Sequence, residues 1–221
     1  MNKTKLPPIA APQLTADVII FTIENNQLKI ALVKREIEPY KGKLSIPGGF
    51  VWQDETSLQT AKRILQSKVN ASSLFLEQLY TFDALKRDPR GRVISIAYYA
   101  FVPPETFTDT LAQLTPVSDL PKLAFDHDQI VNTALRRLRS KLLYSNIAYS
   151  VLPELFTLAQ LQVVYEAVLG RELDKRNFRK KILSLDIIKQ TDQKTPKAAH
   201  RPALLYTFKQ RHFAELNEPA F

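Results

Sequence analysis

The chain has 221 residues, 45% of them hydrophobic and 24% charged, with a formal net charge of +9. That balance excludes a disordered polar chain and predicts one large or two small packed domains. It contains no cysteine, which excludes disulfides and thiolate metal sites and suits a cytoplasmic protein. No apolar run reaches the ~18 residues of a spanning helix, and MNKTKLPPIAAPQL lacks the continuous apolar core of a signal peptide. The three histidines, His127, His200 and His212, are too scattered for a zinc pair.

In chain order, residues 1–12 form an N-terminal extension. Asp17–Ile23 (DVIIFTI) is apolar and β-branched and predicts a strand; Glu24-Asn25-Asn26 then turns into a partner strand, Leu28–Lys34. Lys43–Ile46 is a short strand leading to Pro47-Gly48-Gly49. Asp54 is placed to cap a helix from Glu55 to Val69, with Leu58, Ala61, Leu65 and Val69 on one face. Arg92–Val102 is a long strand entered from a turn at Asp88-Pro89-Arg90-Gly91. Strands with a long helix predict an α+β layer over residues 13–125, closing in a linker that follows Pro103-Pro104. Asp128–Leu143 reads as a helix striped by Ile130, Ala134, Leu138 and Leu142, and 126–150 is a connecting segment.

Residues 151–221 carry clearer local grammar. Thr157 and Gln160 make a capping box for a helix to Leu169, with Leu158, Leu161, Tyr165 and Val168 inward and Gly170 as its left-handed stop. Asp174 caps a second helix, Lys175–Leu185, which buries Phe178, Ile182 and Leu185. Ile187–Thr191 and Ala203–Phe208 flank a polar basic tip as a β-hairpin. Helix, tight turn, helix, hairpin is the order of a winged helix-turn-helix. Residues 171–201 hold 10 basic and 4 acidic side chains, an excess that points to a polyanion. The outward face of the second helix offers Lys175, Arg176, Asn177, Arg179 and Lys180, and the wing offers Lys194, Lys197 and Arg201. Arginine and asparagine can read base edges, while the lysines meet phosphate. The competing reading is a solvated basic helix in a protein–protein module.

Gly49–Ala71 resembles a Nudix box, G-x5-E-x7-R-E-U-x-E-E-x-G-U. Gly49, Glu55 and Arg63 fall at the right spacing, but Ile64, Ser67 and Lys68 stand where three glutamates belong. In that family the carboxylates hold divalent metal against a diphosphate; a hard cation needs clustered oxygens, so the resemblance implies a pocket without metal that binds a nucleotide-like ligand and is not an enzyme. The whole chain from about residue 13 to 209 resembles the Nudix-related transcriptional regulators of NAD metabolism. LVKREIEPYKGKLSIPGGFV, DPRGRVISIAYYAFV, DLPKLAFDHD, LDKRNFRKKI and RPALLYTF carry the likeness in order.

The resemblance implies a Nudix-like α/β/α sandwich followed by a winged helix. It implies a homodimer on an inverted repeat of double-stranded operator DNA. The effector would be ADP-ribose or a related NAD metabolite, repression the usual outcome, and no cofactor would be required. The effector site is expected at Arg35, Gly48, Gly49, Phe50, Glu55, Arg63 and Arg90. The glycines admit phosphate to backbone amides, the arginines supply forked donors, and Phe50 or Trp52 could stack on a ring. Arg63 commonly braces Glu55 in this motif instead. Lys68 could neutralise phosphate directly or simply be solvated. Of Tyr98 and Tyr99, at most one can face the pocket. The alternative function is a Nudix-type hydrolase with metal ligands outside the box, such as Glu77 or Asp83; a third is a scaffold that binds neither ligand nor DNA.

Overall fold

The computed structural model describes residues 11–70, 75–107, 112–196 and 202–221. Strands β1 (Gln13–Glu24), β2 (Gln27–Lys34), β3 (Leu44–Ser45), β4 (Gly48–Phe50), β5 (Leu76–Phe82), β6 (Val93–Phe101) and β7 (Ala112–Pro116) form one mixed sheet. Its main path is β3-β2-β1-β6-β5, with β4 on β1 and β7 on β2. β1 runs parallel to β6 and antiparallel to β2. The β1–β2 turn forms as the sequence indicates: Asn25 and Asn26 have φ of 52° and 61°, the left-handed pair that a two-residue hairpin requires and asparagine tolerates.

Alternation along β1 and β6 sorts the side chains onto two faces. Ala16, Val18, Ile20, Tyr98 and Ala100 pack against helix α1 (Ser57–Gln66). Ile19, Phe21, Tyr99 and Phe101 pack on the other side, with helix α2 (His127–Tyr144). The result is an α/β/α sandwich. The α2 stripe is the one read from spacing: Ile130, Ala134, Leu138 and Leu142 are fully buried.

Three local expectations change. The α1 cap is Thr56 and not Asp54: Thr56 accepts from the Gln59 amide while the Gln59 side chain accepts from the Thr56 amide, a reciprocal box that a lone Asp54 cannot match. The helix is correspondingly shorter than Glu55–Val69. The linker after Pro104 contains β7, antiparallel to β2; five residues ending in a proline gave no periodic signal. β5 was also not anticipated. A bulge between Gln78 and Tyr80 sets its buried Leu79 and Phe82 three apart, which erases the period of two.

Helix α3 (Leu158–Leu169) carries the capping box at Thr157 and Gln160 and ends at Gly170 with φ 71°. Helix α4 (Lys175–Ser184) is capped by Asp174, whose Oδ1 accepts from the Asn177 amide at 2.9 Å. Phe178 and Ile182 are buried, whereas Leu158 and Leu185 are only half-buried. Strands β8 (Ile188–Lys194) and β9 (Leu204–Phe208) form the antiparallel wing. One apolar core runs unbroken from the sheet through α2 into α3, α4 and the wing. No described helix is long and apolar enough to cross a membrane.

Truncating a fully buried α2 residue removes contacts that both halves use. Leu138→Ala should lower unfolding free energy by about 2–5 kcal/mol, measured by urea denaturation, and a single transition should remain.

Candidate functional site

Five of the seven effector-site candidates meet in one cavity of about 290 Å³: Arg35, Gly48, Gly49, Phe50 and Arg90 line its wall. Arg35 follows the end of β2, the glycines and Phe50 form β4, and Arg90 sits on the turn before β6. The cavity opens where β4 lies beside only the first half of β1, pairing Thr15–Asp17 with Phe50–Gly48.

Glu55 and Arg63 lie off this wall. Arg63 grips Glu55 with Nε and Nη2, both at 2.7 Å, and places Nη2 3.4 Å from the Phe50 carbonyl. The Trp52 ring, 55% exposed, covers the guanidinium at 3.7 Å. This is the bracing arrangement, and it holds the loop that carries Phe50. Lys68 also stands off the wall, half-buried just past α1. Neither adjacent tyrosine reaches the cavity: Tyr98 meets the Ser57 hydroxyl at 2.8 Å on the α1 side, and Tyr99 is buried on the opposite face.

The wall also contains residues that the sequence reading passed over: Asp17, Ser45, Arg87, Asp88, Phe125 and His127. Asp17 interrupts an otherwise apolar strand, a signal in itself. Phe125 and His127 lie in the string DLPKLAFDHD, already prominent, but nothing local showed that they face inward.

Charge in the cavity is largely paired. Arg87 is 8% exposed, binds Asp126 through two bonds of 2.8 and 2.9 Å, and has Asp17 at 3.7 Å. Arg90 binds Asp88 at 2.6 Å. Burial pushes the Asp88 carboxyl up, but the Arg90 side-chain and backbone hydrogen bonds and nearby positive charge outweigh it and hold it below the usual range. Arg35 differs. Its guanidinium donates to the Pro39 and Ile37 carbonyls and stacks on Phe125 at 4.6 Å. Burial and then the charge of Arg90 lower its pKa, leaving a cation with no carboxylate hydrogen bond among the described residues. Arg90 lies between two rings, 5.3 Å from Phe50 and 5.4 Å from Phe125.

His127 is held neutral, because burial lowers its pKa and its Nδ1 accepts from the Ile46 amide at 3.1 Å. Phe125 adopts φ 55°, a strained choice for a bulky residue and one that clusters at functional sites. Gly48 is required by a neighbour: a Cβ there would stand 2.0 Å from Asp17 Oδ1.

At the other end, Lys175, Arg176, Asn177, Arg179 and Lys180 project from the exposed face of α4, and Lys194 from β8. A groove of about 520 Å³ brings Lys175, Arg179 and Lys194 beside Thr157 and the start of α3. These cations have no salt-bridge partner among the described residues, in contrast to Lys181, which pairs with Glu218 at 2.9 Å. Lys197 and Arg201 lie outside the described residues.

Sheet, cavity and basic helix together define a Nudix domain joined to a winged helix. Residues 13–142 match the NUDIX domain family and residues 148–208 match the NrtR DNA-binding winged helix domain. The chain belongs to the NrtR family. It is 35% identical over 207 residues to the "ADPR responsive transcriptional repressor NtrR" of Acinetobacter baylyi, covering 90% of this chain and 82% of that one. It is similar to Shewanella oneidensis NrtR complexed with a 27mer DNA, at TM-score 0.79 and 35% identity over 89% of this chain and 93% of that one. The NUDIX domain of the same Shewanella protein, complexed with ADP ribose, matches at TM-score 0.52 and 33% identity, covering 61% of this chain and 94% of that one.

The Glu55–Arg63 brace gives a pH signature. Hydrogen bonding to Arg63, opposed by desolvation and helped by Thr60, holds the Glu55 carboxyl down to about 2. A lowered folded-state pKa stabilises the fold above the unfolded value, and the contribution is lost as pH falls through the folded one. Glu55→Gln should be less stable than the parent at neutral pH. Denaturant melts should show the gap closing between about pH 4.5 and about pH 2.

Proposed function

We propose that the protein is a ligand-responsive transcriptional repressor. It binds operator DNA through α4 and the wing, and it senses ADP-ribose or a related NAD metabolite in the cavity at β4 without cleaving it. The observation that carries this reading is the α4 face: four cations, without salt-bridge partners among the described residues, and an asparagine point outward while Phe178 and Ile182 lock the other side into the core. Arg176, Asn177 and Arg179 are placed to read base edges, and Lys175, Lys180 and Lys194 to meet phosphate. Lys197 and Arg201 join them by their place in the wing sequence.

In the cavity, Arg35, which has no carboxylate hydrogen bond among the described residues, would take a diphosphate. Arg90 and Phe50 flank it, and the β4 glycines open the backbone. Glu55 and Arg63 serve the same site by fixing the loop under Phe50. The relatives support the two halves of the reading, since the Acinetobacter protein is described as ADPR responsive and the Shewanella protein has been seen with DNA and, in its NUDIX domain, with ADP ribose. We place an effector unit at 13–125, a connecting segment at 126–150 and the DNA-binding unit at 151–221, after an extension at 1–12. The reading is completed by a cytoplasmic homodimer on an inverted repeat, whose two-fold axis would match that of its site.

The residues at the metal-holding positions of a Nudix helix do not fit a divalent ion. Ile64 is 6% exposed in the α1 core, its Cδ1 3.8 Å from where a Gly49 Cβ would stand. The Ser67 hydroxyl donates to the Ile64 carbonyl at 2.7 Å, and Lys68 has the wrong charge. We derive no hydrolytic step, and the reading needs no cofactor.

Two measurements test it. ADP-ribose should bind in excess chelator and should yield no AMP when magnesium or manganese is restored; Arg35→Ala should weaken that binding about 10–100-fold, the worth of a charge-assisted bidentate contact. Turnover at an enzyme-like rate would sink the reading. Binding to duplexes from the promoters of its own genome should weaken steeply with salt, and Lys180→Ala should flatten the log–log slope by about 1.

A further inference from the structure

Helix α2 ends without a glycine stop: its cap, Ser145, is extended at φ −145°. The last carbonyls of a helix need donors from elsewhere. Here a later segment supplies them. The Leu216 amide donates to the Tyr144 carbonyl and the Ala220 amide to the Leu143 carbonyl, each at 2.7 Å. Asn146 anchors the same segment upstream, exchanging bonds of 3.0 and 2.8 Å with the backbone of Ala214.

The segment then runs from α2 to the basic helix. Phe221 stacks on Phe178 of α4, with centroids 5.5 Å apart and planes 4° from parallel. It meets Tyr165 of α3 edge-on at 5.4 Å, and Tyr165 meets Phe178 the same way at 5.5 Å. Phe178 lies between Asn177 and Arg179 in sequence, so its ring sits directly behind the outward donors. Three closed ring contacts are an unusual investment on the back of a ten-residue helix. They tie its rotation to α2, whose first residue, His127, lines the effector cavity.

We propose that residues 214–221 form a strap that caps α2 and, through Phe221, sets the position of α4, making Phe221 a positioning residue for DNA reading. This rests on the regulator reading above. Phe221 touches no DNA in this assignment. It acts through Phe178, and its loss lets the α4 face move relative to α2 while the charge that attracts DNA stays in place. Specific binding, which needs several side chains in register, therefore suffers more than non-specific binding, which needs only charge.

The test compares the full chain with Phe221→Ala and Phe221→Tyr. Duplexes of the length in the Shewanella complex, 27 bases, tile the promoters of its own genome and are read by fluorescence anisotropy against an unrelated duplex. ADP-ribose titration reports the cavity independently. Phe221→Ala should lose about tenfold in affinity for the preferred duplex, the scale of one aromatic pair. Its affinity for the unrelated duplex and for ADP-ribose should stay within about twofold, and Phe221→Tyr should restore the preference. The change in DNA affinity caused by ADP-ribose should also shrink in Phe221→Ala.

Equal loss on both duplexes, or no loss on either, overturns the proposal. If Phe221→Ala does not fold, Phe221→Leu, which keeps apolar volume without the ring, carries the same comparison. Hydrogen exchange of α4 amides should then rise while that of α1 stays put; unchanged α4 exchange would also overturn it. A parent chain that ignores every duplex refutes the regulator reading itself, whereas a parent that binds alongside an unaltered Phe221→Ala refutes only the strap.

Discussion

The constraint on which the rest depends is that α2 must satisfy two neighbours with one apolar stripe. Ile130, Ala134, Leu138 and Leu142 are fully buried in a core that also holds the sheet residues Ile19 and Tyr99 and the winged-helix residues Leu161 and Phe178. Burying an isoleucine or leucine side chain stabilises by roughly 1.5–3 kcal/mol, so neither half can shed the helix cheaply. The polar contacts of α2 follow the same division. Asp126, just before it, holds Arg87 of the cavity, while Arg139 donates to the Val168 carbonyl near the end of α3 at 2.9 Å. Lys141 lies buried against Glu77 of β5 and over the Phe213 ring at 4.2 Å. A buried ammonium is tolerated because carboxylate and ring faces both answer it.

The cavity follows a similar economy of charge. Three arginines would repel one another in so small a space, yet two have a carboxylate at hydrogen-bond distance, Arg87 with Asp126 and Arg90 with Asp88. That leaves Arg35, held by carbonyls and the Phe125 face. Carbonyls and rings orient a guanidinium without neutralising it, so it retains an attraction for an anion. Asp17 is retained at the floor, accepting from Ser95, and forces the residue above it to be Gly48. The glycine that looked like an opening for phosphate is thus equally the consequence of an acid beneath it.

How much of this was legible in the sequence depended on whether the signal was local. Capping at Thr157, the stop at Gly170 and the stripe on α2 are written within a few residues and were found where spacing put them. The α4 cations were legible because a buried Phe178 and Ile182 fix which face is outward. β5 and β7 were not, since a bulge breaks the period of one and the other is short. Within the cavity, Arg35, the two glycines, Phe50 and Arg90 stand in the strings that carry the family resemblance. Asp17, Arg87 and His127 were missed because only tertiary pairing, 81 residues apart in the case of His127 and Ile46, turns them toward the same space. The strap was invisible for the same reason: nothing near Phe221 in sequence mentions Phe178.

The non-acidic residues Ile64, Ser67 and Lys68 bear on what kind of sensing the proposed function allows. A site reports the concentration of a ligand by its occupancy only if the ligand leaves as it came. The coupling between two sites, in which each ligand changes the affinity for the other by one common factor, is a property of reversible binding. A chain that cleaved its effector while bound to DNA would tie repression to a turnover rate instead. Of the three positions where the Nudix pattern has metal-holding glutamates, Ile64 packs in the core on the α1 side, its Cδ1 3.8 Å from where a Gly49 Cβ would stand, while Ser67 is exposed and Lys68 half-buried, so no cluster of oxygens is left there to gather a hard cation.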